Sequence, residues 1–388
     1  MQKIAQEIFE SLKPNNSLKT LVQQNNLDFN GYHLVAIGKP ASHFAKAIDE
    51  SFELKSVLAV VKKGHAIKAK FDQWQLDHPV VSKENLIKTE ELQRYLSQFS
   101  SDEKILFLVS GGASALLSSP KLHFEDFQKL WLEMLNNGWP IEEMNKIRIL
   151  ADRIKGGGLL KSVHSVKVTN LYVSDVPEDH FDLVSSSPTN TVALDKVEVG
   201  RLIEKLSNSK MKEDLGLILN SLQTEQRKTE NYLLQSAQTL LESGAKVLKN
   251  YYPDYEVIID GKVVSETPEQ FMARLPILGK KKIFISVGET GIQVEKSGGL
   301  GGRNSHLVCL MGQVLKKKQS FACLASDGND GNSPYAGGWV SNNMIGPQEL
   351  NNAISAFDTA NLLKAKGLAF DFGPSATNLM DLRVLIQD

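Results

Sequence analysis

Ile105-Leu106-Phe107-Leu108-Val109 runs directly into Ser110-Gly111-Gly112-Ala113-Ser114. The apolar run shows no polar alternation, so it predicts a strand buried on both faces, as in a parallel sheet. The glycines end the strand and leave a loop of small polar residues beyond it. The same layout recurs on either side. His33-Leu34-Val35-Ala36-Ile37 precedes Gly38-Lys39-Pro40, and Leu171-Tyr172-Val173 precedes Ser174-Asp175-Val176-Pro177. Further on, Lys282-Ile283-Phe284-Ile285-Ser286-Val287 leads to Gly288-Glu289-Thr290, and Phe321-Ala322-Cys323-Leu324-Ala325 leads to Ser326-Asp327-Gly328. Leu368-Ala369-Phe370 stands before Gly373-Pro374-Ser375-Ala376-Thr377-Asn378.

Helical spacing fills the intervals. Residues 40–50 follow a proline suited to a first helical turn, and 124–135 carry Phe127, Leu130, Trp131 and Leu135 at helical spacing. Residues 304–318 carry Leu307, Val308, Leu310, Met311, Val314 and Leu315, with Asn304 expected as the cap. Buried strands alternating with helices define an α/β protein. At roughly 100–200 residues per domain, 388 residues predict two domains. The polar, lysine-rich 195–230 region is either the break between them or a solvated helical face.

Composition narrows the function. With 44 Lys+Arg against 45 Asp+Glu the formal net charge is −1, which argues against nucleic acid or an anionic membrane as the main partner. Cys309 and Cys323 are the two cysteines and have no metal-finger spacing, so they are expected to be buried thiols in a reducing compartment. No apolar run approaches the ~18–20 residues of a membrane span. Charges come too early after Met1 for a signal peptide, and the chain is expected to be cytoplasmic.

In open α/β sheets, ligands bind beyond the carboxyl ends of strands, where these loops fall. Lys39 at a strand end before a helix suits a phosphate or carboxylate, or is a solvated lysine in a βα turn. Gly298-Gly299-Leu300-Gly301-Gly302-Arg303-Asn304 joins close backbone approach to a bidentate anion binder, or is a flexible surface loop. It has neither Walker A nor GxGxxG order. Asp175 and Asp327 could each hold Mg²⁺, accept a hydroxyl proton, or simply cap a helix. Asp330 reads as part of a turn. Asn145, Arg148 and Lys155 could form an anion site or a solvated basic face, with 145 and 148 about one helical turn apart. Ser114 misses the G-x-S-x-G elbow, so Ser110 and Ser114 are read as hydrogen-bond donors. The eight histidines form no HExxH pair.

In order along the chain, Gly38-Lys39-Pro40-Ala41, Asp77-His78-Pro79, Ser110–Leu117, Asn145-Lys146-Ile147-Arg148, Ile154-Lys155-Gly156-Gly157, Ser174-Asp175-Val176-Pro177, Gly288-Glu289-Thr290, Gly301-Gly302-Arg303-Asn304, Asp327–Gly331 and Gly373–Asp381 resemble the MOFRL-type (class II) glycerate kinases. The resemblance implies a Rossmann-like, doubly wound N-terminal domain at 1–228 and a smaller α/β MOFRL-type domain at 229–388. It places the active site in the cleft between them. The implied reaction is phosphorylation of the C2 hydroxyl of D-glycerate to 2-phosphoglycerate, with ATP and Mg²⁺, by a monomer or homodimer. Carried over residue by residue, the catalytic set is Lys39, Asp175, Arg303 and Asp327, with Asp175 or Asp327 as base or metal ligand. The implied binding set is Ser110, Gly111, Gly112, Ser114, Arg148, Lys155, Glu289, Gly301, Gly302, Asn304 and Asn378. The chain departs from the family at Ala113, Ser187 and Ala376, where glycine is usual, and at Glu178 after Val176-Pro177. Those losses motivate two alternatives, a kinase of a related sugar acid and a non-catalytic ligand-binding paralogue. A hydroxypyruvate reductase is disfavoured by the missing dinucleotide fingerprint.

Overall fold

The structure is a computed structural model that describes residues 1–164, 167–174, 184–223, 227–294 and 298–388. Internal contacts divide it into two compact units. One takes in Met1–Thr20 and Gln235–Asp388, and the other holds the described residues from Leu21 to Leu234.

The second unit is built on a six-stranded sheet. Its strands are β1 (Tyr32–Ile37), β2 (Ser56–Lys62), β3 (Asp72–Leu76), β4 (Lys104–Ser110), β5 (Lys167–Val173) and β6 (Glu230–Gln235), in the order β3-β2-β1-β4-β5-β6. β1 pairs in parallel with both β2 and β4, β2 with β3, and β4 with β5. This is the doubly wound Rossmann order, in which the direction of winding reverses between β1 and β4. β1 is buried along its whole length and β4 from Ile105 onward, which is why both read as unbroken apolar runs. Expected helices are found at Ala41–Asp49 and Phe124–Asn136. The 195–230 region holds helices Lys196–Glu204 and Ser209–Asn220. Val199, Leu202, Ile203, Met211, Leu215 and Leu219 bury them with Met144, Ile147 and Leu150 of helix Ile141–Ala151. Those lysines are therefore the outer faces of packed helices, and the two units divide just beyond them, between Leu234 and Gln235.

The first unit holds a five-stranded sheet of β7 (Glu256–Glu266), β8 (Lys282–Thr290), β9 (Gln319–Ala325), β10 (Gly337–Ser341) and β11 (Asp381–Gln387), ordered β10-β9-β11-β8-β7. The buried runs in this half were expected to be parallel strands. β11 instead sits at the centre, antiparallel to both β8 and β9, so the sheet is mixed. An antiparallel strand between two others is buried on both faces too, so burial alone does not report direction. Leu368–Phe370 contributes an isolated bridge from Ala369 to Gly338 rather than a strand.

Residues 1–20 were expected in the N-terminal domain but pack in this unit. Helix Gln2–Ser11 buries Ile4, Ala5, Ile8 and Phe9, and Phe9 meets Phe372 with ring centroids 5.3 Å apart. Tyr251 at the end of helix Ala237–Tyr251 donates to Glu7 (2.9 Å), and Gln235 donates to Ser17 (2.9 Å). No described helix is long and apolar enough to cross a membrane.

Candidate functional site

At the β1/β4 switch point the two strand ends are tied together. The Lys39 N–H donates to the Gly111 carbonyl (3.0 Å), and the buried Ser110 hydroxyl donates to the Ile37 carbonyl (3.2 Å). Gly38, at φ +135°, has no room for a Cβ, which would strike the Ser110 hydroxyl. Gly112, at φ +91°, lies beneath Lys39 and His78, where an added Cβ would come 3.0 Å from Lys39 Cγ and 3.2 Å from His78 Nε2. The Lys39 ammonium is exposed and forms no ion pair among the described residues. Burial, with the positive charges of Lys39 and Lys62, pushes His78 down to about 4, so it is neutral at pH 7. The site thus holds an exposed cation, with no ion pair among the described residues, above a glycine loop at the place where doubly wound folds bind ligands.

Behind the loop runs a buried polar relay. The Ser114 and Ser186 hydroxyls are 2.9 Å apart, Ser186 donates to Asn145 (2.9 Å), and Arg148 donates to the same Asn145 oxygen (3.3 Å). The Arg148 guanidinium carbon sits over Trp131, 3.6 Å from the ring centroid, and burial lowers the Arg148 pKa to about 10. Lys155, lowered to about 8 by burial, donates to the carbonyls of Ser114 (2.8 Å) and Leu117 (2.7 Å). A solvated basic face is thereby excluded, since both cations are internal. Lys155 acts on the backbone of the serine loop. Asp175 lies outside the described residues.

The first unit carries its own pocket of about 630 Å³, lined by Thr290, Ile292, Val294, Arg303, His306, Asp327, Asn329 and Phe357 together with the glycines of 298–302. Helix Arg303–Val314 starts at its wall. The expected cap, Asn304, is not the cap: its side chain donates to Asp381 (3.0 Å) and accepts from the Cys323 thiol (2.9 Å). Asp330 caps the helix from another segment, accepting the N–H groups of Asn304 (2.9 Å) and Ser305 (2.7 Å). Gly302 must be glycine because a Cβ would run into Asp330 and the backbone of Gly331. The glycines at 298 and 299 likewise admit Phe357 and Asp358. The loop is therefore packed against its own chain rather than flexible.

Arg303 is held by two carboxylates. Its Nε donates to Asp381 (2.5 Å), and Nη2 donates to Glu289 (2.9 Å) and Asp381 (3.4 Å), while Nη1 has no partner among the described residues. Burial opposes its charge, but Asp381 and Glu289 overcome this and raise its pKa further. Asp381 is buried, which pushes it up to about 6 against the pull of Arg303. Asp327 is raised by burial and accepts the Asn329 N–H (2.9 Å) on Oδ1, and its Oδ2 has no partner among the described residues. Asn378 is exposed, and its amide makes no hydrogen bond among the described residues.

Sequence reasoning missed Asp381, His306 and Phe357. Asp381 ends a stretch that the resemblance had flagged. The other two carry no local signal, because their meaning comes from packing side by side.

A Rossmann-ordered unit with a cation at its switch point, followed by a mixed-sheet unit with a glycine–arginine pocket, defines a two-unit α/β protein of the ligand-binding kind. Residues 1–219 match the family model described as a domain of unknown function (DUF4147), and residues 282–381 match the MOFRL family. The chain belongs to this DUF4147–MOFRL family. It is 27 % identical to a D-glycerate 2-kinase of Thermotoga maritima, across 98 % of this chain and 97 % of that one. It is 23 % identical to a glycerate 2-kinase of Pyrococcus horikoshii, across 95 % of this chain and 90 % of that one. The crystal structure of a Thermotoga maritima glycerate kinase superposes with a TM-score of 0.85 at 26 % identity, covering 100 % of this chain and 98 % of that one.

Proposed function

We propose that this chain transfers the γ-phosphoryl group of ATP to the C2 hydroxyl of D-glycerate, giving 2-phosphoglycerate and ADP. The observation that carries the reading is the end-to-end relationship to a D-glycerate 2-kinase, over 98 % of this chain. In this reaction the glycerate oxygen bonds to the γ-phosphorus, the bond from that phosphorus to the β,γ-bridging oxygen breaks, and the hydroxyl proton passes to a base. Such a transfer needs little covalent help from the protein, only positioning and positive charge around the moving phosphoryl.

Lys39 suits that charge because its exposed ammonium forms no ion pair among the described residues. The Nη1 of Arg303, without a partner among the described residues, suits a phosphate or the glycerate carboxylate. The Ser110–Ser114 loop would supply backbone donors, with Gly111 and Gly112 allowing close approach. Asp327, raised by burial, is a suitable proton acceptor. Asp175 remains the other candidate for that role. Three nearby acids are unsuited to it: Asp330 is committed to the helix cap, Asp381 to Arg303 and Asn304, and Glu289 to Arg303.

The donor set fits Mg²⁺ carried in on a nucleotide. Among the described residues no three metal-ligating side chains gather, whereas Asp327 offers one open carboxylate oxygen. Mg²⁺ ordinarily uses one or two carboxylates plus substrate phosphates. Asp327 or Asp175 would hold it, and it would neutralise the β- and γ-oxygens.

The test is ADP release from Mg²⁺-ATP by purified protein, with and without D-glycerate, with the product's phosphate position read by NMR. Glycerate-dependent 2-phosphoglycerate is expected. Absence of glycerate-dependent turnover overturns the assignment.

A further inference from the structure

Phe357 occupies an unusual position. Helix Pro347–Ser355 ends in a double hydrogen-bonded corner, with Phe357 N–H to the Ile354 carbonyl (3.1 Å) and Asp358 N–H to the Ala353 carbonyl (2.9 Å). That is the Schellman arrangement, whose left-handed residue is usually glycine. Here a phenylalanine takes φ +51°, which is unfavourable for a bulky side chain. The corner is pinned from outside as well, because Asp358 accepts the Leu300 N–H (2.7 Å). An added Cβ on Gly298 would come 2.5 Å from Phe357 Cβ. The local structure thus pays to keep an aromatic ring where glycine would be easier.

The ring faces useful neighbours. Phe357 is stacked on His306, with centroids 5.2 Å apart and planes 12° from parallel. His306 follows Arg303 by one helical turn, and both line the pocket. Burial lowers the His306 pKa, leaving the imidazole neutral at pH 7, a flat partner rather than an anion binder. Ile292 and Val294, beyond the end of β8 at Thr290, add an apolar wall, and Val294 is 54 % exposed. At about 630 Å³ the pocket is of the size that takes drug-sized ligands, more than a three-carbon acid needs.

We propose that Phe357, backed by His306, is the platform on which the purine base of the nucleotide phosphoryl donor stacks. This rests on the reading of the chain as an ATP-dependent kinase and adds where the base binds. Stacking on an aromatic face tolerates any base, so selectivity among nucleotides would be weak.

The test is calorimetry of ATP and of inorganic tripolyphosphate with the native chain, Phe357→Gly and Phe357→Leu. The native chain is expected to bind ATP more tightly than tripolyphosphate, and both variants to lose about 5- to 100-fold in ATP affinity with tripolyphosphate unchanged. Phe357→Gly should melt no lower than the native chain, because glycine relieves the left-handed strain. Phe357→Leu keeps the side-chain bulk, so a loss shared by both variants belongs to the ring. No ATP preference in the native chain, or a preference that survives both substitutions, overturns the proposal. Missing glycerate turnover with the preference intact overturns the acceptor assignment and leaves the platform standing.

Discussion

Lys39 and Ala376 mark two kinds of residue-scale effect. Lys39 is exposed and unpaired among the described residues, so Lys39→Ala should change the unfolding free energy by no more than an ordinary surface substitution, about 0.5 kcal/mol in a denaturant titration. Turnover should fall by about 10²- to 10³-fold if its charge stabilises the moving phosphoryl. Unchanged kcat in a steady-state assay would remove Lys39 from the mechanism. Ala376 and Ser187 replace glycines expected from the family resemblance, and both sit in the left-handed region, at φ +66° and +49°. The backbone kept the glycine conformation while the side chain changed. Ala376→Gly should therefore stabilise the chain by about 1 kcal/mol in a denaturant titration. Ala113, the third such departure, is buried in the short helix Ala113–Leu116 and takes no positive φ, so no comparable gain is expected there. The substitutions were legible in the sequence; which ones carry strain was not, because φ is a property of the folded backbone.

At the scale of elements, the start of helix Arg303–Val314 depends on a carboxylate from another segment. Asp330→Ala strands two buried N–H groups and should cost about 1–3 kcal/mol by chemical denaturation. A loss below 0.5 kcal/mol would mean that water replaces the cap. The turn carrying His78 gives a pH-dependent case. Its folded pKa of about 4 lies below the ordinary 6.5, so between those values the unfolded chain binds the extra proton. Stability should fall as pH drops from about 6.5 toward 4, and His78→Gln should flatten that slope in melting curves. Helices and their apolar faces could be read from spacing. The cap could not, since Asp330 lies 26 residues from the N–H group of Asn304 that it satisfies.

The chain as a whole is interleaved, because the first twenty residues belong with the unit formed by the C-terminal half. Ile4, Ile8, Phe9 and Leu12 are all nearly inaccessible there, each expected to contribute about 1.5–3 kcal/mol when fully buried. Deleting residues 1–20 should lower the melting temperature. It should speed hydrogen exchange in helix Ala237–Tyr251 while β1 and β4 keep their protection. Equal exchange in that helix with and without the segment would show that the packing is dispensable.

The sequence by itself determined the α/β class, the buried strands β1, β4, β5, β8 and β9, the strand-end loops and the residues most suited to phosphate chemistry. Those follow from local burial and turn chemistry, which short stretches of sequence encode. Tertiary structure alone decided that β11 runs antiparallel through the centre of its sheet, and that Lys155 and Arg148 point inward. It also decided that the glycines of 298–302 make room for Asp330, Phe357 and Asp358. Each depends on which distant segment arrives as neighbour, and neither spacing nor composition specifies that.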